Sequence, residues 1–89
     1  MKSYTTREFR RLFASLPGRI QDQARQSYRL FRQNTAHPGL RFKRVHGDPP
    51  IYSARVGIGY RAVGVLEGDT IIWFWIGSHA NYNKLLASL

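Results

Sequence analysis

The amino-acid sequence predicts an α+β domain in which an N-terminal helical hairpin packs on a four-stranded, mainly antiparallel sheet, followed by a short C-terminal helix. Apolar residues recur at helical spacing in the first third of the chain, and the period changes to two from Leu40 onward. Helical spacing returns after Ser78. Because 89 residues can build only one hydrophobic core, we expect a single domain over residues 1–89.

Two helices are predicted before residue 35. Thr5 and Glu8 have the spacing of a capping box. The apolar residues after this box lie on one helical face: Phe9, Leu12, Phe13 and Leu16. Pro17 ends the first helix, and the second helix should end near Asn34. The apolar stripe of the second helix contains Ile20, Ala24, Tyr28 and Phe31.

Four strands are predicted in the second half of the chain. They cover residues 40–45, 51–56, 60–66 and 70–76. The segments between them, His-Gly-Asp-Pro-Pro, Gly-Ile-Gly and Glu-Gly-Asp, are typical of tight turns. Ser78 can then cap the last helix, in which apolar residues again recur at helical spacing: Tyr82, Leu85, Leu86 and Leu89.

The predicted hairpin around Gly57-Ile58-Gly59 brings two cations together. A three-residue loop pairs Val56 with Tyr60, and Arg55 then lies directly opposite Arg61. We call the sheet face that carries these two residues the arginine face. Like charges in this position cost roughly 0.2–1 kcal/mol, and an anion bound between them would remove that cost.

The same arithmetic assigns the remaining strand residues to the two faces. The side chains predicted to join the arginine face are Arg41, Lys43, Trp73 and Trp75. The side chains predicted to face the helices are Tyr52, Ala54, Val56, Ala62, Ile72, Phe74 and Ile76. Tryptophans beside arginines offer stacking surface for the bases of single-stranded RNA, although an apolar patch is equally compatible with a protein interface.

The charge composition predicts a polyanionic partner. Fourteen Lys and Arg against five Asp and Glu give a formal net charge of +9, and eleven of the fourteen cations are arginines. Arginine binds phosphate through two parallel hydrogen bonds and stacks on bases, so nucleic acid is the first partner predicted and an acidic protein is the second. The absence of cysteine excludes disulfides, thiol nucleophiles and cysteine-based zinc sites.

The N-terminal residues carry no apolar run. Lys2 to Thr6 lead directly into charged residues, so we expect neither a signal peptide nor a membrane span. A cytoplasmic protein is the resulting expectation.

Two residues near the last helix are candidates for acid–base chemistry. His79 opens that helix, and Tyr82 lies one turn further on the same side. Cleavage of RNA without a metal requires deprotonation of the 2′-hydroxyl, protonation of the leaving 5′-oxygen and stabilisation of the phosphorane. Arginines supply the stabilisation, and imidazole supplies a proton transfer with Lys43 or Tyr82 as helper. Structural roles remain open as alternatives: a helix start for His79, and for Tyr82 a core position beside Leu85, Leu86 and Leu89.

No metal or cofactor site is predicted. None of the three histidines has metal-ligand spacing to another, and Asp48, Glu67 and Asp69 fall in separate turns. The Gly57-Ile58-Gly59 segment is a hairpin and no helix follows it, so it is not a phosphate-binding loop.

Four sequence segments together resemble the RelE/ParE superfamily of bacterial toxins. These are Leu40-Arg-Phe-Lys-Arg-Val, Tyr52-Ser-Ala-Arg-Val-Gly, Gly59-Tyr-Arg-Ala-Val and Trp75-Ile-Gly-Ser-His-Ala-Asn-Tyr. The resemblance implies a fold like that of microbial ribonucleases and a toxin of a type II toxin-antitoxin pair, neutralised by a tightly bound antitoxin. Members of the RelE branch enter the ribosomal A site and cut mRNA without a metal.

The resemblance also implies roles for individual residues. Arg61 matches the arginine that engages the scissile phosphate, and Arg55 matches the second of two strand lysines. His79 and Tyr82 fall where the RelE branch places its acid–base residues. Ser53, however, stands where that branch has its first lysine.

Three hypotheses therefore remain at this point. The first is an endoribonuclease that cleaves mRNA. The second is a toxin of the ParE branch that inhibits DNA gyrase and cuts nothing. The third is a nucleic-acid-binding or protein-binding module without toxicity.

Overall fold

The computed structural model describes all residues from 1 to 89, which form five strands and three helices. In chain order the elements are β1 (Lys2–Thr5), α1 (Arg7–Ala14), α2 (Gly18–Gln33), β2 (Lys43–His46), β3 (Ile51–Val56), β4 (Tyr60–Glu67), β5 (Thr70–Ser78) and α3 (His79–Ala87). A short 3-10 turn, Pro38–Leu40, precedes β2. None of the helices combines the length and the apolar character needed to cross a membrane.

The strands form one mixed sheet in the order β1-β5-β4-β3-β2. The pairs from β2 to β5 are antiparallel, as expected, and β1 pairs with β5 in parallel. The predicted α+β class is therefore confirmed, with five strands where four were expected. The strand that was not predicted is β1, which is four residues long and mostly exposed, so its sequence carries no apolar alternation. Its pairing partner, β5, lies almost seventy residues further along the chain.

The first helix is capped one residue later than predicted. The hydroxyl of Thr6, and not that of Thr5, accepts a hydrogen bond from the Phe9 amide at 3.1 Å. Glu8 forms an ion pair with Arg11 on the next turn instead of returning to the cap. The second helix ends at its predicted position, with Asn34 as the C-cap.

The cap assignment makes a testable prediction. We expect Thr6→Ala to lower the free energy of unfolding by about 1 kcal/mol, because the Phe9 amide loses its acceptor. Thr5→Ala should change it by less than about 0.5 kcal/mol, since Thr5 is exposed and its hydroxyl bonds only to the Arg10 side chain. Urea unfolding of both variants measures the difference. Equal effects, or a larger effect of Thr5→Ala, would contradict the assignment.

The first predicted strand starts three residues later than expected, at Lys43. Pro38–Leu40 forms the 3-10 turn, and Arg41 follows it with a left-handed backbone, φ 47°. A non-glycine residue in that region cannot continue a strand, so the extended conformation begins only after it.

A β-bulge in β5 changes which side chains reach which face. The turn between β4 and β5 contains two residues and not three, because Glu67 pairs with Thr70. Further along, Val63 pairs with Trp75 while Gly64 pairs with Trp73, which leaves Phe74 as the extra residue. The bulge therefore turns Trp73 and Trp75, two residues apart in sequence, to opposite sides of the sheet.

Each side of the sheet has its own hydrophobic cluster. The cluster under α1 and α2 consists of buried Phe31, Leu40, Ala54, Val56, Ala62, Ile71, Trp73 and Ile76. The predicted helix-facing positions of Ile72 and Phe74 are wrong, since the bulge and the shorter turn place Ile71 and Trp73 there instead. On the other side, α3 covers a smaller cluster built on Ile51, Val63 and Tyr82. Phe74 and Trp75 pack against that second cluster.

Candidate nucleic-acid interface

Arg55 and Arg61 lie directly opposite each other on β3 and β4, which confirms the predicted register of this hairpin. Each guanidinium donates one hydrogen bond to a backbone carbonyl. The Arg55 Nε atom lies 3.2 Å from the Gly57 oxygen, and the Arg61 Nη1 atom lies 2.8 Å from the Tyr60 oxygen. Neither side chain forms any other hydrogen bond within the chain, so most of their N–H donors are free to bind a ligand.

No carboxylate neutralises this pair. The two ion pairs of the chain, Glu8 with Arg11 and Asp22 with Arg25, both lie on the helices. The other three acidic residues lie in or directly beside the turns at the opposite end of the sheet: Asp48, Glu67 and Asp69. The arginine face therefore carries an uncompensated positive charge.

The environment of Arg61 disfavours its charge. Burial lowers the pKa of the Arg61 guanidinium, and the neighbouring Arg55 and Arg41 cations lower this pKa further, while Tyr82 acts in the opposite direction. The ordinary pKa of arginine is so high that the side chain remains a cation. A bound anion would offset the repulsion between these cations.

The structure brings two more cations to this face. Lys43 pairs with Ser53, which places it on the same side of the sheet as Arg55. The prediction that Arg41 lies on a strand is wrong. Arg41 is nevertheless close enough to Arg61 for its charge to lower the pKa of the Arg61 guanidinium. Arg55, Arg61 and Lys43 therefore lie on one side of the sheet, and Arg41 lies near Arg61.

The prediction that Trp73 joins the arginine face is wrong. Trp73 is only 5% exposed and lies on the side of the sheet that α1 and α2 cover. It packs edge-on against Phe31, with ring centroids 5.4 Å apart. Its indole nitrogen donates a hydrogen bond to the Ser3 hydroxyl at 3.0 Å. The bulge in β5 is the cause, and Trp73 cannot stack on a nucleobase.

Trp75 does lie on the side of the arginine face. It is half-buried, and its ring centroid is 6.5 Å from that of Tyr82. The ring also packs on Gly77, where a Cβ atom would come within 2.8 Å of it. Glycine at position 77 therefore allows the indole to lie flat along the strand.

His79 is exposed at the start of α3, beside the arginine hairpin. Its amide donates a hydrogen bond to the Gly59 carbonyl at 2.8 Å, which fastens the helix to the β3–β4 turn. Ser78 caps the helix through the Asn81 amide at 3.3 Å, as predicted. The imidazole Nδ1 lies 3.4 Å from the Asn83 side-chain nitrogen, so the Asn83 amide orients this ring nitrogen.

Tyr82 forms a buried hydrogen bond that the sequence did not reveal. Its side chain is 6% exposed, and the phenol donates to the Ser53 hydroxyl at 3.1 Å, with Ser53 itself 2% exposed. The Tyr82 ring centroid lies 5.8 Å from that of His79. A serine at a buried strand position was the only signal, and its partner lies 29 residues further along the chain.

The Ser53–Tyr82 bond should show strong energetic coupling. We expect Ser53→Ala to cost about 1–3 kcal/mol of unfolding free energy, because a buried phenol loses its partner, and Tyr82→Phe to cost about 1 kcal/mol. The double variant should cost less than the sum, since no unpaired polar group then remains. Denaturant unfolding of all four proteins gives the coupling. Additive costs would show that the two hydroxyls do not interact.

A comparison with models of known protein families identifies the family of this chain. Residues 18–84, from the start of α2 into α3, match the model of the ParE-like toxin domain. The chain belongs to this family. No curated protein sequence matches it significantly.

Solved structures share the fold of this ParE-like toxin domain. One is from the RelB-RelE antitoxin-toxin complex of Methanococcus jannaschii, with a TM-score of 0.70 and 23% identity over 92% of this chain and 96% of that one. A structure from the RelE-RelB complex of Pyrococcus horikoshii OT3 has a TM-score of 0.68 and 13% identity, over 86% of this chain and 92% of that one. The YoeB/ParE toxin of Agrobacterium tumefaciens has a TM-score of 0.68 and 15% identity, over 89% of this chain and 99% of that one. The resemblance to RelE and ParE toxins is confirmed, and the chain is a toxin of this type.

Proposed function

We propose that this ParE-like toxin domain binds mRNA on its arginine face and cleaves it without a metal ion, which inhibits translation. The observation that carries the proposal is the Arg55–Arg61 pair, two opposed cations with no carboxylate partner. A fold selected for stability alone would avoid this arrangement, because like charges in direct cross-strand positions repel. A phosphate of the RNA backbone is the natural counterion.

RNA binding follows from the cations that surround this pair. Lys43 extends the positive charge along the same side of the sheet, Arg41 lies near Arg61, and Trp75 offers an aromatic surface beside them. If four cations contact phosphates, the logarithm of the affinity for single-stranded RNA should fall with the logarithm of the salt concentration with a slope of about −3. Fluorescence anisotropy of a labelled oligouridine measures this slope. A slope near zero would contradict phosphate binding.

Cleavage would use the 2′-hydroxyl of the RNA as the nucleophile. A base removes its proton, the 2′-oxygen attacks phosphorus, and the bond from phosphorus to the 5′-oxygen breaks while an acid protonates that oxygen. The products are a 2′,3′-cyclic phosphate and a 5′-hydroxyl end. Arg61 stabilises the charge that develops on the phosphorane, and Arg55 assists it from the paired strand.

His79 is the first candidate for proton transfer, because it is exposed and its backbone is bonded to the β3–β4 turn, next to the strands that carry the arginine pair. Tyr82 is the second candidate. Its phenol would have to leave the Ser53 hydroxyl before it reached a substrate, which favours His79. Cleavage that persists in Tyr82→Phe and is lost in His79→Ala would assign the proton transfer to His79.

A direct assay tests the proposed activity. The purified domain is incubated with ribosome-bound mRNA and with the same mRNA alone, and the 5′ ends are mapped. We expect new ends that carry 5′-hydroxyl groups and that are absent with the Arg61→Ala variant. Intact mRNA in both samples, together with undiminished toxicity of Arg61→Ala in cells, would overturn the proposal.

One observation favours a second candidate function. Ser53 occupies the position where the resemblance places a lysine of the nuclease set, and it is buried against Tyr82. A toxin of the ParE branch that inhibits DNA gyrase needs no such lysine. A supercoiling assay with purified gyrase separates the two functions, since inhibition without RNA cleavage would select this alternative.

We also propose that the toxin is neutralised by a cognate antitoxin. Two of the structures that share its fold come from antitoxin-toxin complexes. The formal net charge of +9 favours a partner with acidic residues.

A further inference from the structure

A pocket of about 560 Å³ lies at the outer edge of β5, between the α1–α2 turn and α3. The strand β1 pairs with β5 only from Thr70 to Trp73, so residues 74–78 of β5 have no strand beside them on that edge. We call this space the edge pocket. Its lining includes Leu16 and Pro17 before α2, Trp75 and Gly77 of β5, and Leu85 of α3. Pockets of roughly 300–1,000 Å³ are large enough to hold a small ligand or part of a larger one.

Three polar side chains at the start of α3 also line the edge pocket: Ser78, Asn81 and Lys84. Asn81 and Lys84 are exposed, and neither side chain forms a hydrogen bond or an ion pair within the chain. Asn81 contributes to the helix cap only through its backbone amide, so its side-chain amide keeps an acceptor and two donors for a ligand. Lys84 adds three donors and a positive charge.

The Trp75 ring connects the edge pocket to the arginine face. It lines the pocket and lies over Gly77, where a Cβ atom would come within 2.8 Å of the ring. Gly77 is the cross-strand partner of Arg61. Directly opposed residues on one sheet face have their Cβ positions about 4.5–5.5 Å apart. The indole therefore lies one strand away from Arg61, between that cation and the pocket.

We propose that the edge pocket binds one unpaired purine base of an RNA strand whose phosphate lies on Arg61. The base stacks on Trp75, and Asn81 and Lys84 form hydrogen bonds to its edge. The inference rests on the RNA binding proposed above and is independent of whether the toxin cleaves the strand. It assigns to the pocket the selection of the nucleotide beside the bound phosphate.

The hydrogen-bonding groups of the edge pocket favour a purine over a pyrimidine. Guanine and adenine both carry the N7 acceptor, which pyrimidines lack, and the Lys84 ammonium can donate to it. The substituent at position 6 is an acceptor in guanine and a donor in adenine. The Asn81 amide has both functions and therefore pairs with either base.

Charge favours RNA over a protein strand at this edge of the sheet. A strand added to the open part of β5 would bond to its backbone, but the backbone of that strand would bring no charge to Lys84. RNA carries a negative charge at every nucleotide, so one strand can meet both Arg61 and Lys84. The flat face of a base also matches the Trp75 ring, because stacking on aromatic side chains is the common way to hold single-stranded RNA.

Two RNAs that cannot be cleaved serve as probes. One is a strand of about ten 2′-O-methyluridines, and the other carries a single guanine or adenine at its centre. Neither strand has a 2′-hydroxyl that could act as a nucleophile. We expect the purine-containing strand to bind roughly tenfold more tightly in a fluorescence anisotropy titration. It should also quench the tryptophan emission more strongly, and this difference should vanish in Trp75→Phe, since the remaining Trp73 is only 5% exposed.

Two pocket variants and two controls locate the base. We expect Asn81→Ala and Lys84→Ala each to reduce the ratio of the two affinities by about threefold or more. Gln26→Ala and Arg19→Ala are the matched controls, because they remove an exposed amide and an exposed cation from α2, outside the pocket. Both should leave the ratio unchanged. Circular dichroism confirms that each variant is folded.

The outcomes separate the edge pocket from the arginine face. Equal affinity for the two strands, with both bound, would overturn the base pocket, leave RNA binding by the arginine face intact and leave the open edge of β5 to a protein strand. Binding of neither strand would overturn both proposals. A preference for the purine that Gln26→Ala reduces as much as Asn81→Ala would also overturn the pocket, because the preference would then arise elsewhere on the surface.

Discussion

Arg61→Ala is expected to lower the rate of RNA cleavage by roughly 10²–10³-fold, the loss typical of removing one donor that stabilises an oxyanion. Burial and two neighbouring cations disfavour the charge of Arg61, and a bound phosphate would offset the repulsion from those cations. Single-turnover cleavage of a defined RNA measures the effect. Arg61→Lys should recover only part of the rate, because lysine keeps the charge but not the two parallel hydrogen bonds.

The same substitution should not destabilise the fold. Removing one of two opposed cations relieves a repulsion of roughly 0.2–1 kcal/mol, so the free energy of unfolding should stay constant or rise. Arg19→Ala serves as the control for loss of one positive charge at a distance from the face. A cleavage rate equally reduced in both variants, or a marked loss of stability in Arg61→Ala, would contradict the assigned role.

Trp73→Ala is expected to lower the free energy of unfolding by about 3–5 kcal/mol. That loss is a large share of the total stability of a domain of this size. Trp73 packs against Phe31 and Phe42, with ring centroids at 5.4 and 6.2 Å, and its indole nitrogen is bonded to Ser3. The substitution therefore leaves a large cavity and an unpaired hydroxyl. Thermal unfolding followed by circular dichroism measures the loss.

Trp75→Ala provides the contrast. Trp75 is half-buried and packs at the edge of the second cluster, so its loss should cost clearly less stability than that of Trp73. It should instead weaken RNA binding, because Trp75 is the tryptophan beside the arginine face. Equal stability losses in the two variants would contradict the bulge at Phe74, which separates them.

The β3–β4 hairpin was predictable because its register depends on a local signal. Gly57-Ile58-Gly59 fixes the loop length, and the pairing of Arg55 with Arg61 follows from it. In the β4–β5 hairpin, no local sequence signal fixes the loop length or the register. A two-residue turn and an extra residue at Phe74 leave no mark in the alternation of apolar residues, so Trp73 was assigned to the wrong side.

The remaining differences have the same physical origin, which is contact between distant segments. The short strand β1 is held by β5, and the hydroxyl of Ser53 is held by Tyr82. Neither partner can be found from periodicity, which reports only local structure. Periodicity also cannot show that α1 and α2 leave a cleft between them, because the separation of two helices depends on tertiary packing.

The central claim is that the arginine face acts on mRNA through Arg61. The most direct test expresses the wild type and Arg61→Ala in cells without any antitoxin and maps the 5′ ends of cellular mRNA. We predict many new ends with the wild type and none above background with Arg61→Ala. New ends of equal abundance in both, or growth arrest by the wild type without any new ends, would contradict the claim.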